Sequence, residues 1–154
     1  MAEDRFAAAM HEHYQRGEEA DRLVAASAGQ LEFERTQEIV LRRLPAAPAV
    51  VADIGGGPGR YARWLAGLGY RVMHRDIVPL HVERLRAAHA PGSPIDAAVG
   101  DARSLDLADA SVDALLLLGP LYHLTRRADR AQVLREARRV VRPGGLVFGA
   151  AISR

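Results

Sequence analysis

Three aspartates, Asp53, Asp76 and Asp101, close three successive apolar stretches, spaced 23 and 25 residues apart. The first opens a glycine-rich turn, Asp53-Ile54-Gly55-Gly56-Gly57-Pro58-Gly59. Glycine accepts positive φ and lets a ligand lie against bare backbone, while a proline there is suited to open a helix whose first amides face that ligand. An acid some twenty residues beyond such a turn, as Asp76 is, can accept both hydroxyls of a ribose. Asp101, in Gly100-Asp101-Ala102-Arg103, could take the exocyclic amine of adenine while a backbone amide meets a ring nitrogen. The chain has no Gly-Lys-Ser/Thr sequence, and three carboxylates without a loop lysine would cradle a pyrophosphate poorly. Asp53 therefore calls for a cationic ligand group. Each acid alone could as well be a helix N-cap or a solvated loop residue; their joint placement argues for an adenosine-containing ligand.

The elements that must position these acids follow from periodicity. Strands are predicted over Val50 to Ile54, Tyr70 to Arg75, Ile95 to Val99, Val112 to Leu118 and Leu146 to Ala150, alternating with helical spacing. Tyr61, Trp64 and Leu68 form the expected buried stripe of the first intervening helix. Val82, Leu85 and His89 form that of the second, and Val133, Leu134, Ala137, Val140 and Val141 that of the last, which Pro143-Gly144-Gly145 ends. Residues 1–45 read as a helical cap, with Phe6, Met10 and His13 on one face and Thr36, Ile39, Val40 and Leu44 on another; Pro45 and Pro48 then punctuate the chain. Residues 46–154 form the second domain, an α/β core with a mostly parallel five-strand sheet whose ligands sit beyond the carboxyl ends of the strands.

Composition bounds the partners. All 21 basic residues are arginine and the net charge is +2, with the arginines spread among acids, so no nucleic-acid-tracking surface is expected. Without cysteine there is neither a disulfide framework nor a thiolate nucleophile. No apolar stretch is long enough for a membrane span, and a cytoplasmic location is expected. His11-Glu12-His13 suggests a metal, but histidines two apart on a helix point to different faces, and no third ligand is spaced to help; no metal is expected. His74, His81 and His89 read as surface or core-edge residues, and the Arg126-Arg127 and Arg138-Arg139 pairs as solvated helix charges.

From the acid and alternate glycines of Asp53 to Gly59, through Asp76, Gly100-Asp101-Ala102 and Asp113 to Leu124, to Leu134-Arg135-Glu136-Ala137 and Arg142-Pro143-Gly144-Gly145, the chain resembles the class I S-adenosylmethionine-dependent methyltransferases, with residues 31–154 matching in order. The resemblance implies a Rossmann-like doubly wound fold with S-adenosylmethionine as cofactor, S-adenosylhomocysteine as product and a small-molecule acceptor. By it the backbone of Gly55, Gly56 and Gly57 would hold the methionine part and Asp53 would face its amino group through water. Asp76 would bind the ribose, Asp101 and Ala102 the adenine, and Ile77 would pack on the adenine face. The carbonyl of Leu118 or Gly119 would also help hold the amino group, and Arg35 and Thr36 would close over the carboxylate. Tyr122 would line the acceptor pocket, and His123, beyond the fourth strand, is the general-base candidate for an oxygen or nitrogen nucleophile.

Family members continue past the fifth strand with a helix and an antiparallel strand pair that this sequence does not contain. An unpaired, apolar fifth-strand edge is then expected, and with it a homo-oligomer or a partner chain. A non-catalytic cofactor-binding module acting through such assembly is the alternative reading. A nicotinamide oxidoreductase ranks behind both, because Asp101 and the Arg-Pro-Gly-Gly turn are foreign to it.

Overall fold

The computed structural model describes residues 27–90 and 92–151. The chain divides into two units at residues 44 and 45. In the first, helix α1 spans Ser27–Leu41. Glu38 accepts ion pairs from Arg35 and Arg42, one helical turn to either side, an arrangement that adds a few tenths of a kcal/mol to helix stability. Ile39, expected on a buried stripe, is 54% exposed, whereas its neighbour Val40 is buried. The expectations for Phe6, Met10 and His11 to His13 lie outside the described residues.

The second unit runs β1 (Val50–Ile54), α2 (Arg60–Gly67), β2 (Arg71–Asp76), α3 (Pro79–Ala87), β3 (Ile95–Val99), β4 (Val112–Leu117), the single helical turn α4 (Pro120–His123), α5 (Arg127–Val140) and β5 (Val141–Gly149). The five strands form one sheet in the order β3-β2-β1-β4-β5, and every pairing is parallel. Parallel strands covered on both faces read as near-continuous apolar runs. That is why β4, Val-Asp-Ala-Leu-Leu-Leu, is buried at all six positions. Helix α2 packs mainly on β2, α3 on β3 and β2, and α5 on β5.

Two local features differ from the sequence reading for physical reasons. Helix α2 starts at Arg60 rather than Pro58, because Gly59 takes a left-handed conformation at the cap and the proline stays in the turn. Strand β5 starts at Val141, not Leu146: Val112 pairs with Val141 and Ala114 with Leu146, so residues 142–145 arch out of register. Gly144 has φ +80° in that arch, and the Arg142 guanidinium reaches back to Asp113. Asp113 in turn accepts the Val50 amide at 2.6 Å, so one carboxylate ties the amino ends of β1 and β4 to the arch. The helix stripes shift accordingly. Leu68 and Leu134 are exposed and Leu65 is buried, and Val141 belongs to a strand.

Arginines do interior work here. Arg75, 4% exposed, donates to Asp106 at 2.7 Å and Asp96 at 3.2 Å and to the carbonyls of His74 and Asp96. Burial alone would lower its pKa, but the two carboxylates outweigh that and raise it. Arg139, expected as a solvated charge, donates to Glu136, Asp109 and the carbonyls of Leu105 and Leu107. Glu136 accepts the Leu105 amide, so α5 clamps the segment that leads from Asp101 into β4. Among the described residues no helix is long and apolar enough to cross a membrane.

Candidate functional site

The carboxyl ends of β1, β2, β3 and β4 meet around the glycine turn, where side chains are excluded at three points. A Cβ on Gly55 would come within 2.5 Å of Pro120, one on Gly56 within 2.2 Å of the Asp53 carboxylate and one on Gly59 within 2.5 Å of Leu85. Gly55, Gly57 and Gly59 all have positive φ. Gly57 differs from the others: a Cβ there would meet nothing closer than the His81 ring at 3.9 Å. The turn is therefore closed against its own protein at Gly55, Gly56 and Gly59 and open at Gly57, where bare backbone is available to a ligand.

The three acids occupy different electrostatic environments. Asp53, last but one in β1, is 2% exposed. Among the described residues its side chain meets one polar group, the His74 ring, with Nδ1 3.2 Å from Oδ2. Asp76, at the end of β2 and 5% exposed, is well supplied. Its Oδ1 accepts the Val78 amide at 2.9 Å and faces His81 Nδ1 at 3.1 Å, and its Oδ2 accepts the Gly57 amide at 2.8 Å. Burial alone would raise its pKa; these partners outweigh burial and hold the carboxyl below the usual 3.8. A carboxylate has about four lone-pair sites, so Oδ2 retains capacity for a hydroxyl. Asp101, beyond β3, is held by its near neighbour Arg103 through the backbone amide at 2.8 Å and the guanidinium at 2.6 Å. Burial alone would raise its pKa; the Arg103 contacts together outweigh burial and lower it.

The other expected residues divide by location. Ile77 and Ala102 lie beside Asp76 and Asp101, half-buried. Leu118 and Gly119 follow β4, and Gly119 approaches the turn so closely that a Cβ would lie 2.9 Å from the Gly55 carbonyl oxygen. The Gly119 carbonyl accepts the Tyr122 amide within the turn of α4. Tyr122 and His123 stand on that turn, with ring centroids 6.5 Å apart, Tyr122 exposed and His123 half-buried. Arg35 and Thr36 belong to the first unit, with Arg35 paired to Glu38. Among the described residues no three His, Cys, Asp or Glu side chains cluster as a metal site needs.

Two histidines taken from sequence as surface or core-edge residues are interior. His74 is fully buried and His81 is 4% exposed, each facing one of the site's acids. The available signal was alternation along β2, which puts His74 on the same face as Asp76; the contact with Asp53 needed the strand register, in which Asp53 and His74 are partners.

A family model for a methyltransferase domain matches residues 52–149. A ubiquinone/menaquinone biosynthesis C-methyltransferase from Acidiphilium cryptum is 38% identical over 122 residues, covering 77% of this chain and 48% of that protein. A ubiquinone biosynthesis O-methyltransferase from a Methylobacterium species is 37% identical over 112 residues, covering 71% of this chain and 43% of its own. The crystal structure of a SAM-dependent methyltransferase from Methanosarcina mazei superposes with a TM-score of 0.63 at 26% identity, over 70% of this chain and 55% of that one. The chain thus spans about half the length of the relatives it matches.

The Asp76 environment gives a testable pH dependence. Its carboxyl holds a proton less tightly folded than unfolded, so its contribution is present above the ordinary value of 3.8 and is lost as pH falls through that value toward the lower folded one. Asp76→Asn should cost about 1–3 kcal/mol at pH 7, and wild type and variant should converge in urea denaturation as the pH drops below 3.8. A gap that persists undiminished in acid would show that the carboxylate is not the source.

Proposed function

This chain belongs to the methyltransferase domain family, and on that footing we propose that it binds S-adenosylmethionine beyond the carboxyl ends of β1 to β4 and transfers its methyl group to an oxygen or nitrogen of a small molecule. One observation carries the reading. Beneath the glycine turn lies a buried carboxylate, Asp53, that no arginine contacts among the described residues, next to open backbone at Gly57. A zwitterionic amino-acid ligand bearing an ammonium group fits that pair of features.

When bound, the cofactor supplies a methyl group on a sulfonium already activated for in-line displacement. The protein's part is binding, alignment and exclusion of water. In this reading Asp53 receives the ammonium, with the carbonyl of Leu118 as a second acceptor, and the Gly55 to Gly57 backbone lies along the amino-acid portion. Asp76 offers Oδ2 to a ribose hydroxyl. Ile77 packs on the adenine, and Asp101 and Ala102 meet its edge once the Arg103 guanidinium shares the Asp101 carboxylate. On the far side of the methyl group Tyr122 lines the acceptor pocket, and His123 takes the proton that an oxygen or nitrogen nucleophile gives up. One of the two quinone-biosynthesis relatives is an O-methyltransferase, which makes small molecules bearing a hydroxyl the first acceptors to try.

The outer edge of β5 has no strand partner among the described residues and Val147 on it is 44% exposed. We propose that this edge takes a strand from another chain. Light scattering on the 154-residue chain should give a mass above the monomer; a monomer at all concentrations would remove the proposal.

Calorimetric titration with S-adenosylhomocysteine should give micromolar affinity and one site per chain. Gly57→Val places a branched side chain at φ +56° in the open side of the turn, and should weaken that binding by roughly a hundredfold or more while the circular dichroism of the sheet survives. A folded variant that binds like wild type would overturn the cofactor reading. With an acceptor that wild type methylates in hand, His123→Gln should lower kcat by about a hundredfold or more and leave S-adenosylhomocysteine affinity unchanged; equal turnover would remove the histidine from the mechanism.

A further inference from the structure

His74 is a buried titratable side chain of the sheet that the proposed mechanism leaves unused. It is fully buried at mid-strand in β2, and its Nε2 has no hydrogen-bond partner among the described residues. Its other nitrogen lies 3.2 Å from Asp53 Oδ2. The neighbour across the strand pairing on β3 is Ala97, which brings no polar group, and along β2 the same face continues to Val72 and Asp76, whose carboxylate is engaged by Gly57, Val78 and His81. The imidazole therefore has one polar contact in view.

That arrangement selects a tautomer. A carboxylate only accepts hydrogen bonds, so the nitrogen facing Asp53 carries a proton. The second nitrogen, enclosed and unpartnered, costs less as a bare lone pair than as a buried N–H with no acceptor. The ring is thus suited by its geometry to donate from Nδ1 and leave Nε2 bare, held in place by the strand itself. It holds the Asp53 carboxylate by one oxygen and does not cancel its charge, as an arginine in the same place would. Gly56 closes over that carboxylate so tightly that a Cβ there would lie 2.2 Å from Oδ2, which restricts the acid's freedom from the other side.

We propose that His74 is a positioning residue for the cofactor: as a neutral donor it orients Asp53 and leaves its negative charge for the ammonium of the bound amino-acid portion. The inference rests on the cofactor reading above and adds to it how this chain keeps its cation-binding acid both buried and charged. A structural role alone would support the fold and affect all ligands of the site alike. A role through Asp53 must discriminate by the ammonium.

The test compares two ligands on three proteins. S-adenosylhomocysteine carries the ammonium; 5′-methylthioadenosine has the same nucleoside and sulfur without the amino-acid portion. In calorimetry His74→Leu, which removes the donor, should weaken S-adenosylhomocysteine about ten- to hundredfold and change 5′-methylthioadenosine less than about threefold. His74→Asn, whose amide nitrogen can take the place of Nδ1, should recover S-adenosylhomocysteine affinity to within about threefold of wild type. Equal weakening of both ligands, or no weakening of either, overturns the positioning role while leaving the cofactor reading intact. Wild type that binds neither ligand overturns both. Because a leucine beneath the turn can fail to fold, a second readout does not need that variant. In nitrogen-15 spectra the His74 ring, assigned by its disappearance in His74→Asn, should show a protonated Nδ1 and a bare Nε2, with Nδ1 shifting on addition of S-adenosylhomocysteine but not of 5′-methylthioadenosine. The opposite tautomer, or the same shift with both ligands, overturns the proposal.

Discussion

The turn after β1 tolerates no side chain at three of its glycines, and the neighbouring elements are arranged around that fact. Gly55 admits Pro120 from the segment beyond β4, Gly56 sits on the Asp53 carboxylate, and Gly59 receives Leu85 of α3. Two elements remote in sequence, and the turn-facing acid of β1 itself, pack on one stretch of bare backbone, at distances where a Cβ would force them apart. The Gly55 amide also donates to the Arg75 carbonyl at 2.7 Å, binding the turn to the end of β2. The close fit fixes where the strand ends lie, and with them the acids that the strands carry.

Much of this was legible from residue types. Alternation of apolar strands with helical segments gave the parallel α/β architecture, because a strand buried on both faces has to be largely apolar and β4 is, Asp113 apart. The acid-and-glycine pattern placed Asp53, Asp76 and Asp101 at strand ends, where the structure has them. Register and side-chain partners were not legible. That Asp53 lies beside His74 depends on a one-residue choice of pairing, since a single slip turns each side chain to the opposite face. The start of β5 at Val141 was hidden because Arg142-Pro143-Gly144-Gly145 reads as a helix stop, whereas it is an arch within a strand pairing. Charge misled in the same way: Arg139 sits in an arginine pair that reads as solvated, yet it satisfies the carbonyls of Leu105 and Leu107, which the loop leaves open.

The arginines sort by what they reach. Arg75 joins the Asp106 and Asp96 carboxylates to carbonyls within β2 and β3, and Arg139 joins Glu136 and Asp109 to carbonyls of the segment between β3 and β4. Arg142 closes the amino end with Asp113. With no lysine in the chain, these tasks fall to guanidinium groups, whose several fixed donors can serve a carbonyl and a carboxylate together. The consequence for function is spatial: these three cations are committed to acids outside the trio, and Arg103 to Asp101 at the third strand's end.

Three aspartates that look equivalent in sequence are therefore unequal in the fold. Asp101 already has a guanidinium, so a ligand there must share or displace a charge partner. Asp76 has two backbone amides and an imidazole, which stabilise its negative charge and leave one oxygen able to accept a further hydrogen bond, a fit for a neutral hydroxyl. Asp53 has a single imidazole and an enclosing glycine. Burying a carboxylate is costly unless its charge is answered, and of the three this one is answered least. A cation brought by a ligand would lower the free energy most at Asp53, so in the proposed reading the order of compensation among the acids would itself orient the ligand, with its ammonium toward β1 and its nucleoside toward β2 and β3.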